Sequence, residues 1–218
     1  MTVEPPLPPR APDVAGDLPA ADVETVVADR LLDESRLDGA DLSGRTLYNL
    51  KLRGSRLCGV DLGDATLAGI DAADVVVGEG SWANAGIEQG VLVRVEVTAV
   101  RATGARFAET VISDATFADC RLDLTSFRHA ELERVAFRDC RLEEADFHGA
   151  TLRSVRFERC VIAGATVENA MFDRCELRGC DLTDVAGVER LAGTRIPLPD
   201  VIQIAGLLAA AAGIDVVD

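Results

Sequence analysis

Cysteine is the residue type whose spacing most suggests chemistry. Four of the six cysteines lie twenty residues apart, at Cys120, Cys140, Cys160 and Cys180, and Cys175 lies close by. Thiolates could bind zinc or form a ladder of disulfides, but zinc needs ligands that converge as a tetrahedron, whereas this spacing predicts thiols in a line. We therefore interpret these residues as small, buried apolar side chains with free thiols. We predict no metal site.

The other residues that could support catalysis are the histidines and the many carboxylates. His129 and His148 fall on positions that the repeat described below directs outward, in separate coils, with no Cys or Ser beside them. The carboxylates are interspersed with Arg, which is poor ground for the shifted pKa values typical of active sites. The sequence has no Gly-rich phosphate loop and no nucleophile elbow. We predict no catalytic residue, no cofactor and no enzymatic activity.

The element that positions all these residues is a five-residue repeat between Leu32 and Leu182. Of the 31 positions reached in steps of five, 29 are Leu, Phe, Ile, Val or Trp, and the exceptions are Ala72 and Ala102. All seven Phe of the chain lie on this series. A period this short and this regular indicates internal repetition of a small structural unit.

A second series, two residues ahead of the first, contains small side chains. From Arg30 to Cys180, 27 of its 31 positions are Ala, Ser, Thr, Cys, Val or Gly. Neither a helix nor a flat strand keeps residues five apart on one face, but a square coil of four five-residue sides does. The large residue then points inward and the small one fills the inner corner. Nine Gly lie two residues after a large residue and mark turns between sides, where positive φ costs Gly little.

Units such as Ala40-Asp41-Leu42-Ser43-Gly44 and Ala145-Asp146-Phe147-His148-Gly149 closely resemble the consensus of the pentapeptide-repeat family. The resemblance covers about residues 30 to 186 and implies an all-β solenoid, a right-handed quadrilateral β-helix of about eight coils with a C-terminal α-helix. Coils about 4.8 Å apart place residues i and i+20 in register. Two interior columns of stacked rings are expected, one of Phe107, Phe127 and Phe147 and the opposite one of Phe117, Phe137 and Phe157.

Three segments are predicted along the chain. Residues 1–22 are rich in Pro and Ala and are predicted to be an extended, mobile, disordered tail. Residues 23–186 form the β-helix. In residues 187–218, a linker ends at Asp200, which is predicted to cap a helix from Val201 to Ala212 that Gly213 stops. Residues 214–217 could add a terminal strand.

The predicted C-terminal helix is apolar nearly all round, with Gln203 as its only strongly polar side chain. Such a helix must be buried on more than one side. One side can cover the open edge of the last coil, whose unpaired backbone groups would otherwise recruit other chains. The other side requires a partner. We predict a homodimer joined through this helix, at Val201, Ile204, Leu207 and Leu208.

The net charge of −15 limits the partners that the chain can bind. Phosphate contacts need clustered Lys and Arg, so direct binding of nucleic acid is not expected. Basic protein surfaces are the expected partners. No apolar run near Met1 resembles a signal peptide, and none reaches the length of a membrane span. We expect a cytoplasmic protein that does not bind a membrane.

The family resemblance also implies a candidate partner. The quinolone-resistance members dimerise through C-terminal helices and mimic the shape and charge of duplex DNA to engage DNA gyrase. In this chain, residues 61–100 contain seven acidic residues and one basic residue, whereas residues 101–180 are close to neutral. A DNA mimic would therefore use an acidic band rather than the whole rod. The candidate acidic surface consists of Asp61, Asp64, Asp71, Asp74, Glu79 and Glu88.

An alternative contact surface is apolar. Val91 and Val93 flank the inward Leu92 and should point outward, while Val111 one coil on and Ala73 one coil before extend the patch. An exposed apolar patch can mark an interaction site, although drift of the repeat would produce the same residues. The alternative function is an interaction or structural module for an unrelated protein partner.

Overall fold

The computed structural model describes residues 3–216 and shows the expected four-sided β-helix. The inward positions from Leu32 to Leu182 make seven complete coils and three sides of an eighth. All strands pair in parallel, and each residue pairs with the one twenty positions further on, as Leu52 does with Ala72 and Ala72 with Leu92. This register confirms the predicted stacking of residues i and i+20.

Four faces run along the rod, and every twentieth residue lies on the same face. Face A is centred on Leu32 in the first coil, face B on Leu37, face C on Leu42 and face D on Leu47. Faces C and D are joined between coils by single bridges. Faces A and B carry the strands, which are β1 (Leu31–Asp33), β2 (Arg36–Asp38), β3 (Lys51–Cys58), β4 (Asp71–Gly78), β5 (Val91–Thr98), β6 (Val111–Ala118), β7 (Glu131–Arg138), β8 (Thr151–Arg153), β9 (Arg156–Glu158), β10 (Met171–Asp173) and β11 (Glu176–Arg178).

The interior of the C-terminal half is filled by stacked rings. The ring of Phe127 lies 5.3 Å from that of Phe107 and 4.9 Å from that of Phe147, and both pairs are nearly parallel. On the opposite face, Phe137 stacks in the same way on Phe117 and Phe157, at 5.2 and 5.0 Å. The two predicted Phe columns are confirmed, and they leave a closely packed, rigid core.

The N-terminal half is packed less tightly. Ala72 on face A and Trp82 on face C belong to the same coil and lie on opposite sides, so a small and a large residue share its width. Both line an apolar cavity of about 40 Å³ that also touches Leu52 and Leu92. The indole Nε1 of Trp82 is buried without a hydrogen-bond partner. The void therefore lies where the inward series has a small Ala72 instead of a large residue.

All the corners between faces adopt the left-handed conformation. The corner positions lie five residues apart from Glu34 to Asp184, and their φ angles range from +41° at Glu34 to +72° at Gly69. Gly occupies only nine of these corners. The conformation is thus imposed by the coil and not by Gly, although it costs other residues about 1–2 kcal/mol each.

Both ends of the rod are capped. At the N-terminal end, helix α1 (Val23–Asp29) begins after Asp22, whose side chain accepts a hydrogen bond from the N–H of Thr25 at 2.9 Å. Val26 of this helix is buried over the first coil. At the C-terminal end lie a 3-10 helix (Val188–Leu191) and helices α2 (Leu198–Gln203) and α3 (Ala205–Ala211).

The C-terminal helix differs from its prediction at the start. It begins at Leu198 instead of Val201 and is interrupted at Ile204. Asp200 does not cap it. Its buried carboxylate accepts a hydrogen bond from the N–H of Gly179 at 2.6 Å and so ties the helix to the last coil.

At its other end, the helix stops before Gly213, which has a φ of +73°. This agrees with the predicted stop. Residues 214–216 form no strand, and residue 217 lies outside the described residues.

Residues 3–22 are extended, as predicted, but they lie against the rod instead of projecting as a mobile tail. Ala20 bridges Arg36 in the first coil. At the far end, Val3 lies in the same surface depression as Arg195, just beyond the last coil. We call residues 3–20 the N-terminal strap. It runs antiparallel to the direction of coiling, along the corner between faces A and B.

Candidate interaction site

A column of four outward residues on face A forms the most distinct surface feature of the rod. The register stacks Asp71, Val91, Val111 and Glu131 in successive coils, about 4.8 Å apart. Val91 and Val111 are 41% and 39% exposed. We call these four residues the valine column. Asp71 at one end already pairs with Arg53, so the two valines and Glu131 at the other end would suit an apolar residue of a partner with a positive charge on one side.

The other two residues of the predicted apolar patch lie in the neighbouring column of the same face. Ala73 pairs with Val93, which in turn pairs with Ser113. Both Ala73 and Val93 are half-buried and lie next to the corner that the strap follows. The structure therefore brings all four patch residues onto face A but leaves the two valines of the valine column as its exposed part.

The six candidate acidic residues do not share a surface. In the second and third coils, Asp71 lies on face A, Asp61 on face C and Glu88 on face D. Asp64, Asp74 and Glu79 lie at corners. The acidic band predicted from the sequence thus encircles the rod instead of lining one side.

Half of these acidic residues are paired with Arg. The pairs are Asp71 with Arg53, Asp74 with Arg94, and Glu88 with Arg106. Two of the remaining carboxylates accept local hydrogen bonds. Asp64 accepts from the Asn84 amide at 3.0 Å, and Asp61 accepts from the N–H of Gly63 at 2.8 Å. Of the six carboxylates, Asp61, Asp64 and Glu79 are therefore the three whose negative charge is not paired with an Arg among the described residues.

The corner between faces A and B carries an alternating ladder of acidic and basic residues that the sequence analysis missed. Asp74, Arg94, Asp114 and Arg134 occupy this corner in successive coils. Arg94 donates two hydrogen bonds to Asp74, at 2.6 and 2.5 Å, and Arg134 donates two to Asp114, at 2.7 and 2.9 Å. Alternation of sign at twenty-residue spacing was the signal in the sequence that could have revealed it. We call these four residues the corner ladder.

The electrostatics of the corner ladder follow from these hydrogen bonds. Hydrogen bonding to Arg134 lowers the pKa of Asp114, although burial of the carboxyl opposes the shift. Arg94 lowers the pKa of Asp74 in the same way. Both carboxylates are therefore ionised and oriented acceptors on the rod surface.

The cysteine column is buried, as predicted. Cys120, Cys140, Cys160 and Cys180 are all buried and carry free thiols, as Cys175 does. Each thiol donates to backbone carbonyl oxygens of the coils, and burial raises the pKa of Cys175 to about 11. These residues therefore act as packing groups.

The two histidines are neighbours on the outside of the rod. The rings of His129 and His148 meet edge to face, with centroids 5.9 Å apart. Within residues 3–216, no three His, Cys, Asp or Glu side chains are grouped as the ligands of a metal ion would be.

The residues predicted to join a dimer lie mainly on the side of the helices that faces the rod. Ile204 is buried, and Leu207 and Leu208 pack against the core. Gln203 accepts from the N–H of Leu182 and donates to the carbonyl of Cys180, so it pairs with the open edge of the last coil. Because the C-terminal helix is apolar on all sides, its sequence alone could not show which of its sides packs against the rod.

The apolar side chains on the outer side of α2 are different ones. Leu198 and Ile202 are 72% and 66% exposed, whereas Val201 is half-buried. In the part of the chain that the structure describes, none of the helices is both long and apolar enough to cross a membrane.

The fold and its surfaces define a parallel β-solenoid whose interior is packed and whose outer faces are exposed. Family models described as "Pentapeptide repeat region" and "Pentapeptide repeats (8 copies)" match residues 91–167 and residues 32–71 and 152–185, respectively. The chain belongs to the pentapeptide-repeat family. This confirms the resemblance found in the sequence.

Two solved structures illustrate the similarity. A trypsin-treated variant of QnrB1, a plasmid-mediated fluoroquinolone resistance protein, is 20% identical, with 86% of this chain and 90% of that chain covered and a TM-score of 0.48. HetL, a protein involved in heterocyst differentiation regulation from the cyanobacterium Nostoc sp. strain PCC 7120, is 18% identical, with 84% and 98% covered and a TM-score of 0.37. No curated protein sequence matches the chain.

Proposed function

We propose that this protein is a non-catalytic, cytoplasmic rod that binds another protein through face A. The observation that carries this proposal is the valine column, in which Val91 and Val111 are exposed side by side on a flat parallel sheet. An apolar pair costs solubility and contributes nothing to the core, because its side chains point away from the packed interior. Burial against a partner would remove this apolar surface from water.

The charges at the ends of the column indicate the kind of partner. Asp71 and Glu131 lie one coil beyond the valines on either side, and the protein as a whole has a net charge of −15. A complementary surface would carry an apolar residue with Lys or Arg on the side of Glu131, because Arg53 already pairs with Asp71. Long-range attraction by the net charge would raise the rate of association with such a basic surface.

A matched pair of variants tests this surface. Met171 lies in the same column as Val91 and Val111 but at the end of the rod, in β10, and is also exposed. Val91→Lys combined with Val111→Lys should abolish binding, while Met171→Lys should leave it unchanged. Partner proteins are first isolated by affinity capture on the wild type. Each captured protein is then titrated into the wild type and the variants, and the dissociation constants are compared. If the double Val→Lys variant bound the partner as tightly as Met171→Lys, the valine column would not be the contact surface.

DNA gyrase is the named candidate partner. The family resemblance implies it, and three of the six acidic residues of the band, Asp61, Asp64 and Glu79, have no Arg partner among the described residues. A DNA supercoiling assay titrated with the purified protein, with and without a quinolone, tests this identification. If these carboxylates mimic phosphates, reversing Asp61, Asp64 and Glu79 to Lys should weaken inhibition or drug protection.

The same assay separates the two functional hypotheses. Inhibition that the triple charge reversal weakens and the two valine substitutions leave intact would support DNA mimicry. Inhibition that only the valine substitutions remove would place gyrase on face A. The absence of an effect at tens of micromolar protein would exclude gyrase and leave an unrelated partner for the rod.

We also propose a homodimer joined at the C-terminal end. Leu198 and Ile202 project from the outer side of α2 and are among the most exposed large apolar residues of the described chain. A second copy that covered them would bury apolar area on both subunits through a two-fold contact. The proposal keeps the predicted dimer but moves its contact from Ile204, Leu207 and Leu208 to these two residues.

A further inference from the structure

The N-terminal strap contacts the corner ladder at a fixed interval. The N–H of Asp13 donates to Oδ1 of Asp74 at 3.0 Å, and the N–H of Arg10 donates to Oδ1 of Asp114 at 3.1 Å. Three residues of the strap therefore span two coils of the rod, which are about 9.6 Å. Three residues of a polyproline II helix, which make one turn, rise about 9.3 Å. The two repeats coincide, so such a chain can present one N–H to every second coil.

The match extends beyond these two hydrogen bonds. Two further steps of three residues lead from Arg10 to Leu7 and Glu4, and the matching rise of four coil spacings leads from the level of Asp114 to just beyond the eighth coil, whose corner residue is Arg174. Val3, next to Glu4, lies in one surface depression with Thr194 and Arg195. The strap thus advances along the rod by about two coils for every three residues, from Asp13 to Val3.

The prolines of the strap follow the same period. Residues 4–13 read Glu-Pro-Pro-Leu-Pro-Pro-Arg-Ala-Pro-Asp, so every third residue, at positions 4, 7, 10 and 13, is not Pro. Pro has no backbone N–H to donate and fixes φ near the polyproline II value. Arg10 and Asp13 thus keep the two N–H groups that the ladder accepts, and Pro12 stiffens the chain between them.

The acceptor carboxylates are held in place by contacts within the rod, independently of the strap. Arg94 and Arg134 fix the carboxylates of Asp74 and Asp114 through two hydrogen bonds each. The strap also buries apolar side chains of its own, at Pro6 and Leu18.

We propose that the corner between faces A and B is a docking site for extended, Pro-rich peptides that retain an N–H at every third residue, and that the strap occupies this site in cis. The partner it fits is a Pro-rich segment of another protein that takes the place of the strap. This site is separate from the valine column and does not depend on the proposed function. Before Gly16, the strap is held by two hydrogen bonds from its backbone and a limited apolar contact, so residues 3–16 are an exchangeable occupant.

A nicked form of the full chain tests the proposal. Gly16 and Asp17 are exposed, and there is open space around Gly16, so a protease site can be inserted between them. The folded protein is cut, the released fragment is washed away, and a labelled peptide of residues 3–16 is titrated by fluorescence anisotropy. We expect saturable binding. The absence of saturation up to millimolar peptide would overturn the proposal.

Three peptide variants show whether binding uses the proposed N–H groups. Arg10→Pro removes the N–H that Asp114 accepts and should weaken binding about tenfold, as expected for a hydrogen bond to a charged group. Arg10→Ala keeps that N–H but removes the charge that also attracts Asp114, so Arg10→Pro should bind more weakly than Arg10→Ala by the contribution of the N–H alone. Ala11→Pro adds a Pro between the ladder positions and should bind like the parent peptide. Equal affinity of the Arg10→Pro and Arg10→Ala peptides would overturn the proposal.

Amide hydrogen exchange on the uncut protein provides a second measurement, which does not require the nicked form to remain folded. The amides of Arg10 and Asp13 should exchange more slowly than those of Ala11 and Val14, because only the first two are bonded to the ladder. Equal exchange at the four positions would contradict docking in this register.

Discussion

The carboxylate of Asp114 is bonded to the guanidinium of Arg134 one coil further on, with the two hydrogen bonds at 2.7 and 2.9 Å. Its Oδ1 atom also accepts the N–H of Arg10 from the strap. The Asp114 side chain is only 5% exposed. One carboxylate therefore joins two coils and the N-terminal segment at a place where water is largely excluded.

Removal of this carboxylate should destabilise the protein strongly. Asp114→Ala leaves the N–H of Arg10 without its acceptor and the guanidinium of Arg134 with only the exposed Glu133, and we expect the free energy of unfolding to fall by about 2 kcal/mol. Asp139 forms a similar two-hydrogen-bond pair with Arg159, but both side chains are well exposed. Asp139→Ala should therefore cost much less. Denaturant titration of both variants measures the difference, and equal losses would contradict the role of burial.

The corner ladder should also make stability depend on pH at acidic values. Hydrogen bonding to Arg134 holds the pKa of Asp114 below its ordinary value of 3.8. A carboxyl whose pKa is lowered by folding contributes stability above its unfolded pKa and loses that contribution as pH falls through the folded pKa. The stability gap between the wild type and Asp114→Asn should thus be largest near neutral pH and narrow below pH 3.8. A gap that stays constant down to pH 2 would be inconsistent with this assignment.

The void beside Ala72 should be fillable. Ala72→Val adds two carbon atoms next to an apolar cavity of about 40 Å³, and each buried carbon contributes about 0.8 kcal/mol. We expect an increase of about 1 kcal/mol in the free energy of unfolding. Ala150 is fully buried in the densely packed half, between Ala130 and Ala170 in its column, so Ala150→Val should destabilise by overpacking. Thermal melting compares the two, and destabilisation by both would show that the cavity cannot accept a larger side chain.

Replacement of the corner residue Leu124 by Gly should stabilise the protein. Leu124 is exposed and has a φ of +59°, a conformation that costs L residues about 1–2 kcal/mol. Leu124→Gly should raise the free energy of unfolding by up to about 1 kcal/mol, after the larger loss of backbone entropy by Gly. The reverse change one coil before, Gly104→Leu, should lower it, because the φ of +71° at this corner is strained for Leu. A lower melting temperature for Leu124→Gly would show that the side chain makes a compensating contact.

The sequence predicted the β-helix because its signal is local and repeated. An inward residue every fifth position specifies the coil, and the Phe positions specify which rings stack. The strap was not predicted to lie on the rod because its hydrogen bonds join backbone N–H groups to side chains about 60 or 100 residues away. Such contacts leave no hydrophobic pattern. Only the comparison of two periods, three residues in the strap and forty in the rod, shows that they match.

The candidate surfaces were predictable to different degrees. Val91 and Val111 are exposed because they alternate with the inward Leu92 and Ile112, and this alternation is visible in the sequence. The acidic residues at positions 61–88 form a cluster along the chain. Winding of the coil then distributes them around the rod, so closeness in sequence does not place them on one face.

The proposed dimer provides a last prediction, based on the two sides of the C-terminal helices. Ile202→Glu places a charge on the exposed side of α2, so it should convert the dimer into a monomer and lower the melting temperature only by the stabilisation that association gives at that protein concentration. Leu208 packs between the 3-10 helix and Ile204, so Leu208→Glu should lower the melting temperature because a charge is forced into the cap. Light scattering and thermal melting of both variants distinguish these effects. A dimeric Ile202→Glu variant, or a wild type that is already monomeric, would show that α2 does not join two copies.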